Sequence, residues 1–182
     1  MIWAQSQRLI LREWEPRDIA PYAAMTADPV VMRYFPAPLS ALEAEDRVSQ
    51  MQSAWDRNDF SFAAVERKFD GAFIGMVGLH RPNFEPAGAP VVEVGWSVAR
   101  PHWRQGYARE AALAALAIGF EDLGLAEIVA FTVPKNTASR NVMLALGMQH
   151  DPARDFDHPG LPPDHPLRPH VLYALQAQDF AT

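Results

Sequence analysis

The stretch Val91 to Glu110, VVEVGWSVARPHWRQGYARE, decides the reading of this chain. Val92, Val94, Trp96 and Val98 alternate with polar or small residues, the period-2 pattern of a half-buried strand, and Pro101 ends it. Trp103-Arg104-Gln105-Gly106-Tyr107-Ala108 then makes a short glycine-bearing turn, and an Ala/Leu-rich helical pattern follows. Strand, tight turn and helix in that order aim unpaired backbone N–H groups and a positive helix end at one place. Anions bind at such a place, above all the phosphates of a cofactor. The same turn is also an ordinary way to join two elements, so its meaning depends on the rest of the chain.

Downstream, Ala126–Val133 (AEIVAFTV) reads as a second strand. Pro134-Lys135-Asn136 opens a helix over Thr137–Leu146, which stops at Gly147, the residue favoured just past a helix C-terminus. Taken together, Glu93-Val94-Gly95-Trp96, Trp103 to Ala108, Asn136, Ser139 and Leu146-Gly147-Met148 resemble the GCN5-related N-acetyltransferase (GNAT) superfamily. Within it they are similar to the subgroup that includes the bacterial ribosomal-protein N-terminal acetyltransferases, whose first strand Gln7-Arg8-Leu9-Ile10-Leu11-Arg12 also resembles.

The resemblance implies an α+β fold: a mixed, mostly antiparallel sheet with splayed central strands, flanked by helices, in one domain over residues 1–182. It implies acetyl-CoA as co-substrate and a primary amine as acceptor, either a protein N-terminal α-amine or a small molecule such as a polyamine, amino acid or aminoglycoside. Coenzyme A contacts are expected from Trp96, Ser97 and Val98 on the strand. Arg104, Gln105, Gly106, Tyr107, Ala108 and Arg109 are expected to contact it at the turn, and Asn136, Ser139 and Met143 on the second helix. Two residues depart from the family pattern. Trp103 stands where Gln or Arg is usual, and Met143 stands where many relatives carry a tyrosine as general acid. A thioether cannot donate a proton.

Amine acetylation needs a neutral amine, a polarised carbonyl and a proton for the departing thiolate. Glu93 is the candidate base, on the strand face opposite Val92, Val94 and Trp96; an exposed carboxylate or a partner for an arginine is the plainer reading. Ser139 is the candidate proton donor, although Asn136 followed by Ser139 also has the look of helix capping. A non-catalytic acyl-CoA-binding module remains an alternative. A nucleotide-binding domain fits poorly, because no Lys-Ser/Thr follows the glycine.

Composition agrees with an enzyme domain. At 182 residues and 49% hydrophobic the chain can bury a sizeable core. It has no cysteine, which excludes disulfides, thiolate metal sites and a cysteine nucleophile. A net charge of −6 lacks the basic footprint of a nucleic-acid binder and suits a cationic acceptor. Met1–Ser6 lacks the pattern of a signal peptide, and no apolar run approaches the ~20 residues of a membrane span. A cytoplasmic protein, monomer or homodimer, without nucleic-acid or membrane partners is expected.

Along the rest of the chain, Leu9–Glu13 reads as a strand and Pro16 to about Thr26 as a helix, with a further helical turn at Asp28–Arg33. Ser40 and Glu43 make a capping box for a helix over Leu42–Arg57. Ser61–Arg67 and Phe73–Leu79 form a hairpin around Asp70-Gly71. The helix after the turn is expected to bury Leu113, Leu116, Ala117 and Phe120 and to stop before Gly124. His150–His170 holds four of the six histidines and six prolines. It is expected to be an ordered loop beside the acceptor cleft, without metal, leading into a last strand at Val171–Leu175.

Overall fold

The computed structural model describes residues 1–180. Its strands are β1 (Ile2–Gln5), β2 (Leu9–Arg12), β3 (Phe62–Arg67), β4 (Phe73–His80), β5 (Glu93–Val98), β6 (Glu127–Thr132), β7 (Gln149–His150), β8 (Phe156–Asp157) and β9 (Pro169–Gln176). The helices are α1 (Pro16–Ala27), α2 (Ala41–Asn58), α3 (Tyr107–Ala117) and α4 (Thr137–Ala145). The sheet runs in the order β1-β2-β3-β4-β5-β6-β9-β7, with β8 also against β9. Every pairing is antiparallel except β5 with β6. This is the mixed α+β sheet flanked by helices that the sequence implies.

Local chemistry explains the elements. Ser40 accepts from the Glu43 N–H at 3.3 Å while the Glu43 carboxylate accepts from the Ser40 N–H at 2.7 Å, the reciprocal cap that starts α2. Gly71, at φ 69°, supplies the left-handed residue of the β3–β4 hairpin. Arg12 makes a buried two-pronged pair with Asp18 at 2.6 and 2.9 Å and reaches Glu66, tying β2, α1 and β3 together.

The sheet separates two apolar clusters. On one face, α3 and α4 cover Val77, Leu79, Val94, Ile128, Ala130 and Tyr173. On the other, α1 and α2 cover Ala64, Phe62 and Met76. Strand register then assigns the remaining side chains. Met76 pairs with Ser97, Gly78 with Gly95 and His80 with Glu93, so those residues share the α1/α2 face.

Three expectations need correction, and one strand was not foreseen. The buried stripe of α3 is Ala111, Ala112, Ala115, Leu116 and Gly119, whereas Leu113, Ala117 and Phe120 are only half-buried. The helix lies so close to the sheet that small residues take the centre and bulky ones the margins. It also ends in a π-helical turn, Ile118–Asp122, which shifts the stripe. Asp28–Arg33 is a series of turns with one helical bond, from the Met32 N–H to the Asp28 carbonyl at 3.0 Å, because Pro29 interrupts the pattern. The histidine- and proline-rich segment contains β7 and β8, each two residues long, because prolines there leave room only for short pairings. The first strand, β1, has no clear period in the sequence.

Candidate active site

The parallel pair β5–β6 is joined only at Glu93 and Val129, where the Val129 N–H donates to the Val92 carbonyl at 3.0 Å. Beyond that point the two strands diverge. Backbone direction alternates along a strand, so Trp96 and Val98 present their N–H and C=O groups to the same edge as Val92, now facing the gap. The Val98 carbonyl is taken by the Trp103 indole N–H at 2.6 Å. That bond folds the turn back onto β5, which explains a tryptophan at a position where the family usually has Gln or Arg.

The gap leads to the N-terminus of α3. Its N-cap is Gly106 at φ 80°, which has no side chain to close the helix end, and Arg104 is also left-handed at φ 59°. The first intrahelical bond runs from the Glu110 N–H to the Gly106 carbonyl at 3.0 Å, so the N–H groups of Gly106, Tyr107, Ala108 and Arg109 have no helical partner. Such an end can hold a pyrophosphate, and the residues present fit that group.

Arg8 is a residue that sequence reasoning missed. From the β1–β2 turn it donates to the Gln105 carbonyl at 3.0 Å and pairs with Glu110 at 2.6 Å. Its guanidinium lies 4.6 Å from the centre of the Tyr107 ring, an ordinary cation–π spacing. Its place in the first strand motif was visible, but nothing local links it to a turn ninety-seven residues away. Arg109, by contrast, donates its Nε–H to the Ala145 carbonyl at 3.0 Å and so caps the end of α4. Arg104 and Gln105 stay exposed at the turn.

On α4 the expected residues form a cap. The Asn136 side chain accepts from the Ser139 N–H at 3.3 Å and donates to the Ser139 and Thr132 hydroxyls, each at 3.0 Å. The Ser139 hydroxyl proton remains uncommitted among the described residues. Met143 differs from its expected place at the coenzyme. It is 2% exposed and packs in the main core, because α4 sinks into the sheet at the end where Leu146 and Met148 are also buried.

Glu93 sits at the fork itself and makes no hydrogen bond or ion pair among the described residues. Its side chain is half-buried, and the protein packed around it pushes its pKa up to about 8. His80 pairs with it across the sheet and stacks under Phe62 at 5.1 Å; burial first, and the charge of Arg47 second, push His80 below its ordinary value. Phe62 also covers Gly95, where a side chain would meet its ring at 2.8 Å.

A strap from the α1–α2 connection crosses the gap. Arg33 stacks over Trp103 at 5.2 Å, and the Tyr34 hydroxyl donates to the Lys135 carbonyl at 3.1 Å. It joins the two loops between which the strands splay.

Among the described residues, no helix is long and apolar enough to cross a membrane. Residues 8–149 match the acetyltransferase (GNAT) domain family. The chain is 32% identical over 146 residues to the Bacillus subtilis protein YkkB, covering 80% of this chain and 84% of that one. A GNAT-family acetyltransferase from Bacillus anthracis superposes with a TM-score of 0.80 at 26% identity, over 98% of this chain and 99% of the other. Mycobacterium smegmatis RimJ, solved in complex with CoA-disulfide, shares the fold at a TM-score of 0.76 and 19% identity, over 98% and 89% of the two chains. A splayed parallel pair, an open helix end beyond it and a match over most of the length lead to one assignment: the chain is an acyltransferase enzyme and belongs to the GNAT acetyltransferase family.

Proposed function

We propose that the enzyme transfers the acetyl group of acetyl-CoA to a primary amine, with Glu93 as general base. The observation that carries this reading is the position of Glu93, a partnerless carboxyl at the fork of β5 and β6 with its pKa raised to about 8. A base is most effective when its pKa lies near the working pH.

Acetyl-CoA held along the gap supplies an activated acetyl thioester. The N–H groups of Gln105, Gly106, Tyr107 and Ala108 hold the pyrophosphate, with Arg8 and Arg104 adding charge. The backbone of Trp96, Ser97 and Val98 lines the pantetheine, and a free strand N–H polarises the thioester carbonyl. As the amine nitrogen bonds to the acetyl carbon and the C–S bond breaks, Glu93 takes the amine proton, directly or through a water. Ser139 or solvent returns a proton to the thiolate. Asn136 donates to the Ser139 oxygen and so eases the loss of that hydroxyl's proton.

An α-amine, with an ordinary pKa of ~7.7–8.0, is matched to Glu93, whereas a lysine-type amine at ~10.4 holds its proton much more tightly. This supports a free α-amine as acceptor, as in the ribosomal-protein N-terminal acetyltransferase subgroup that the motifs resemble. Thiol release from acetyl-CoA with a panel of peptides and small amines tests the reading. Glu93→Gln is expected to lower kcat by ~10²-fold or more while coenzyme A still binds. Turnover at the wild-type rate in that variant would overturn the assignment of the base.

A further inference from the structure

Five half-buried rings stand on the Glu93 face of the sheet, across the fork from His80 and Phe62. Phe131 lies on β6 two residues beyond Val129, so it shares a face with Val129 and Glu93. Its β9 partner is Leu172; His170, two residues earlier on β9, lies on that same face, and Phe156 pairs with His170 from β8. Phe84 comes from the β4–β5 connection and His158 follows β8. The Phe84 ring is 4.7 Å from His158, 5.9 Å from Phe156 and 6.0 Å from Phe131. His170 stacks on Phe156 at 5.4 Å and lies 5.3 Å from His158.

Backbone contacts fix the state of both histidines. His158 Nδ1 accepts from the Gly160 N–H at 3.1 Å, so its proton is on Nε2. His170 Nδ1 lies 3.0 Å from the Arg168 carbonyl, so it carries the proton there and Nε2 keeps a bare lone pair. Burial lowers the pKa of each, which keeps both rings neutral near pH 7. Neither Nε2 has a partner among the described residues, and neither is sealed from solvent. The wall thus offers aromatic faces and edges, one unused N–H donor and one unused acceptor. It carries no net charge, because the adjacent Asp157 and Arg168 neutralise each other at 3.1 Å.

We propose that this wall selects an acceptor with an aryl group close to its amine. The proposal rests on the reading of Glu93 as the base that receives the amine proton. An aryl ring meets Phe84, Phe131 and Phe156 edge to face, which an alkyl group of equal size cannot do. The two histidine nitrogens are placed to hydrogen-bond a phenol or an indole at the rim. A polyamine or an aminoglycoside would bring additional cations against a wall whose adjacent carboxylate, Asp157, is already paired with Arg168. The same chemistry is found in free arylalkylamines or aromatic amino acids and in peptides with an aromatic N-terminal residue.

Thiol release from acetyl-CoA by the purified protein tests this with matched acceptors. One pair is phenethylamine and 2-cyclohexylethylamine; another is a short peptide beginning with phenylalanine and the same peptide beginning with leucine; spermidine is the polycationic control. Within at least one pair the aryl member is expected to show kcat/KM about tenfold higher, and the pair that shows it identifies the source of the aryl group. Phe84→Leu and His158→Ala should bring that ratio to parity through KM, with coenzyme A affinity by calorimetry reporting that each variant is folded. Equal kcat/KM within both pairs, or a preference that survives both substitutions, would overturn the proposal. Glu93-dependent turnover of spermidine without an aryl preference removes only this inference. Coenzyme A binding without turnover of any amine removes the reading beneath it as well.

Discussion

Arg8 and Glu110, 102 residues apart in sequence, meet with the guanidinium Nε 2.6 Å from the carboxylate. Glu110 also accepts from the Ser6 hydroxyl at 2.7 Å and from the Arg8 N–H at 2.8 Å. The first hairpin of the chain is thereby bolted to the start of α3, and Arg8 Nη2, itself 2.6 Å from the Glu110 carboxylate, also donates to the Gln105 carbonyl.

Arg8→Ala should therefore act on the donor more than on the fold. The ion pair is partly exposed, and pairs of that kind contribute about 1 kcal/mol or less to stability. Coenzyme A affinity should fall about tenfold, roughly 1.4 kcal/mol, with little change in melting temperature. A melting temperature that drops by many degrees at unchanged affinity would make Arg8 a structural residue only.

The turn can be tested without confusing strain with charge. Any side chain at Gly106 has to adopt φ 80°, so Gly106→Gln and Gly106→Glu carry the same backbone cost. Gly106→Glu alone places a negative charge at the open helix end. Calorimetry should find coenzyme A bound more weakly by Gly106→Glu than by Gly106→Gln; equal affinities would move the phosphates elsewhere.

Glu93 has a signature in stability as well as in rate. Its folded pKa of about 8 is above its unfolded value, so the folded state retains a proton that the unfolded chain loses. The stability of the wild type falls as pH rises from near 4.5 to about 8 on this account and is flat above. Glu93→Gln removes that slope: the variant should melt with the wild type at pH 4 and above it at pH 9. Each kcal/mol of difference corresponds to about 2–4 °C in a chain of this size. The loss of turnover in the same variant should shrink at high pH, where the amine is already neutral.

Two roles on α4 separate in the same way. Asn136→Ala removes the cap and should cost about 1 kcal/mol of stability. Ser139→Ala leaves the Asn136 cap its backbone bond. If Ser139 protonates the thiolate, turnover should fall about tenfold, roughly 1.4 kcal/mol, because a thiol of pKa ~8.5 also takes a proton readily from water. Undiminished turnover with a lower melting temperature would assign Ser139 to the cap and the proton to solvent.

Much of this arrangement was legible in the sequence because it is written in local patterns. The alternation Val92, Val94, Trp96 and Val98 set the strand and put Glu93 on the opposite face, and Ser40 with Glu43 announced α2. What escaped depends on distance. Arg8 is ordinary until the hairpin that carries it is folded against the turn before α3, and the partners of His158 and His170 include Phe131 on β6 and Phe84 in the β4–β5 connection. The stripe of α3 was misread for another reason. Periodicity rewards large apolar residues, whereas this helix is held by alanine and glycine, which score as fillers.

Those small residues set a height. With Ala111, Ala112 and Ala115 fully buried, and Gly119 already crowded by Ile128 and Leu79, α3 lies as low on the sheet as its backbone allows. If the open N-terminus of α3 holds the phosphates, as proposed, the thickness of the layer beneath the helix sets how far they stand from the mouth of the β5–β6 fork. An enlarged side chain there, Ala115→Leu for example, acts as a shim. It would displace the phosphates from the reacting carbon without touching either, so a buried alanine far from any reactant tunes the reach of the enzyme.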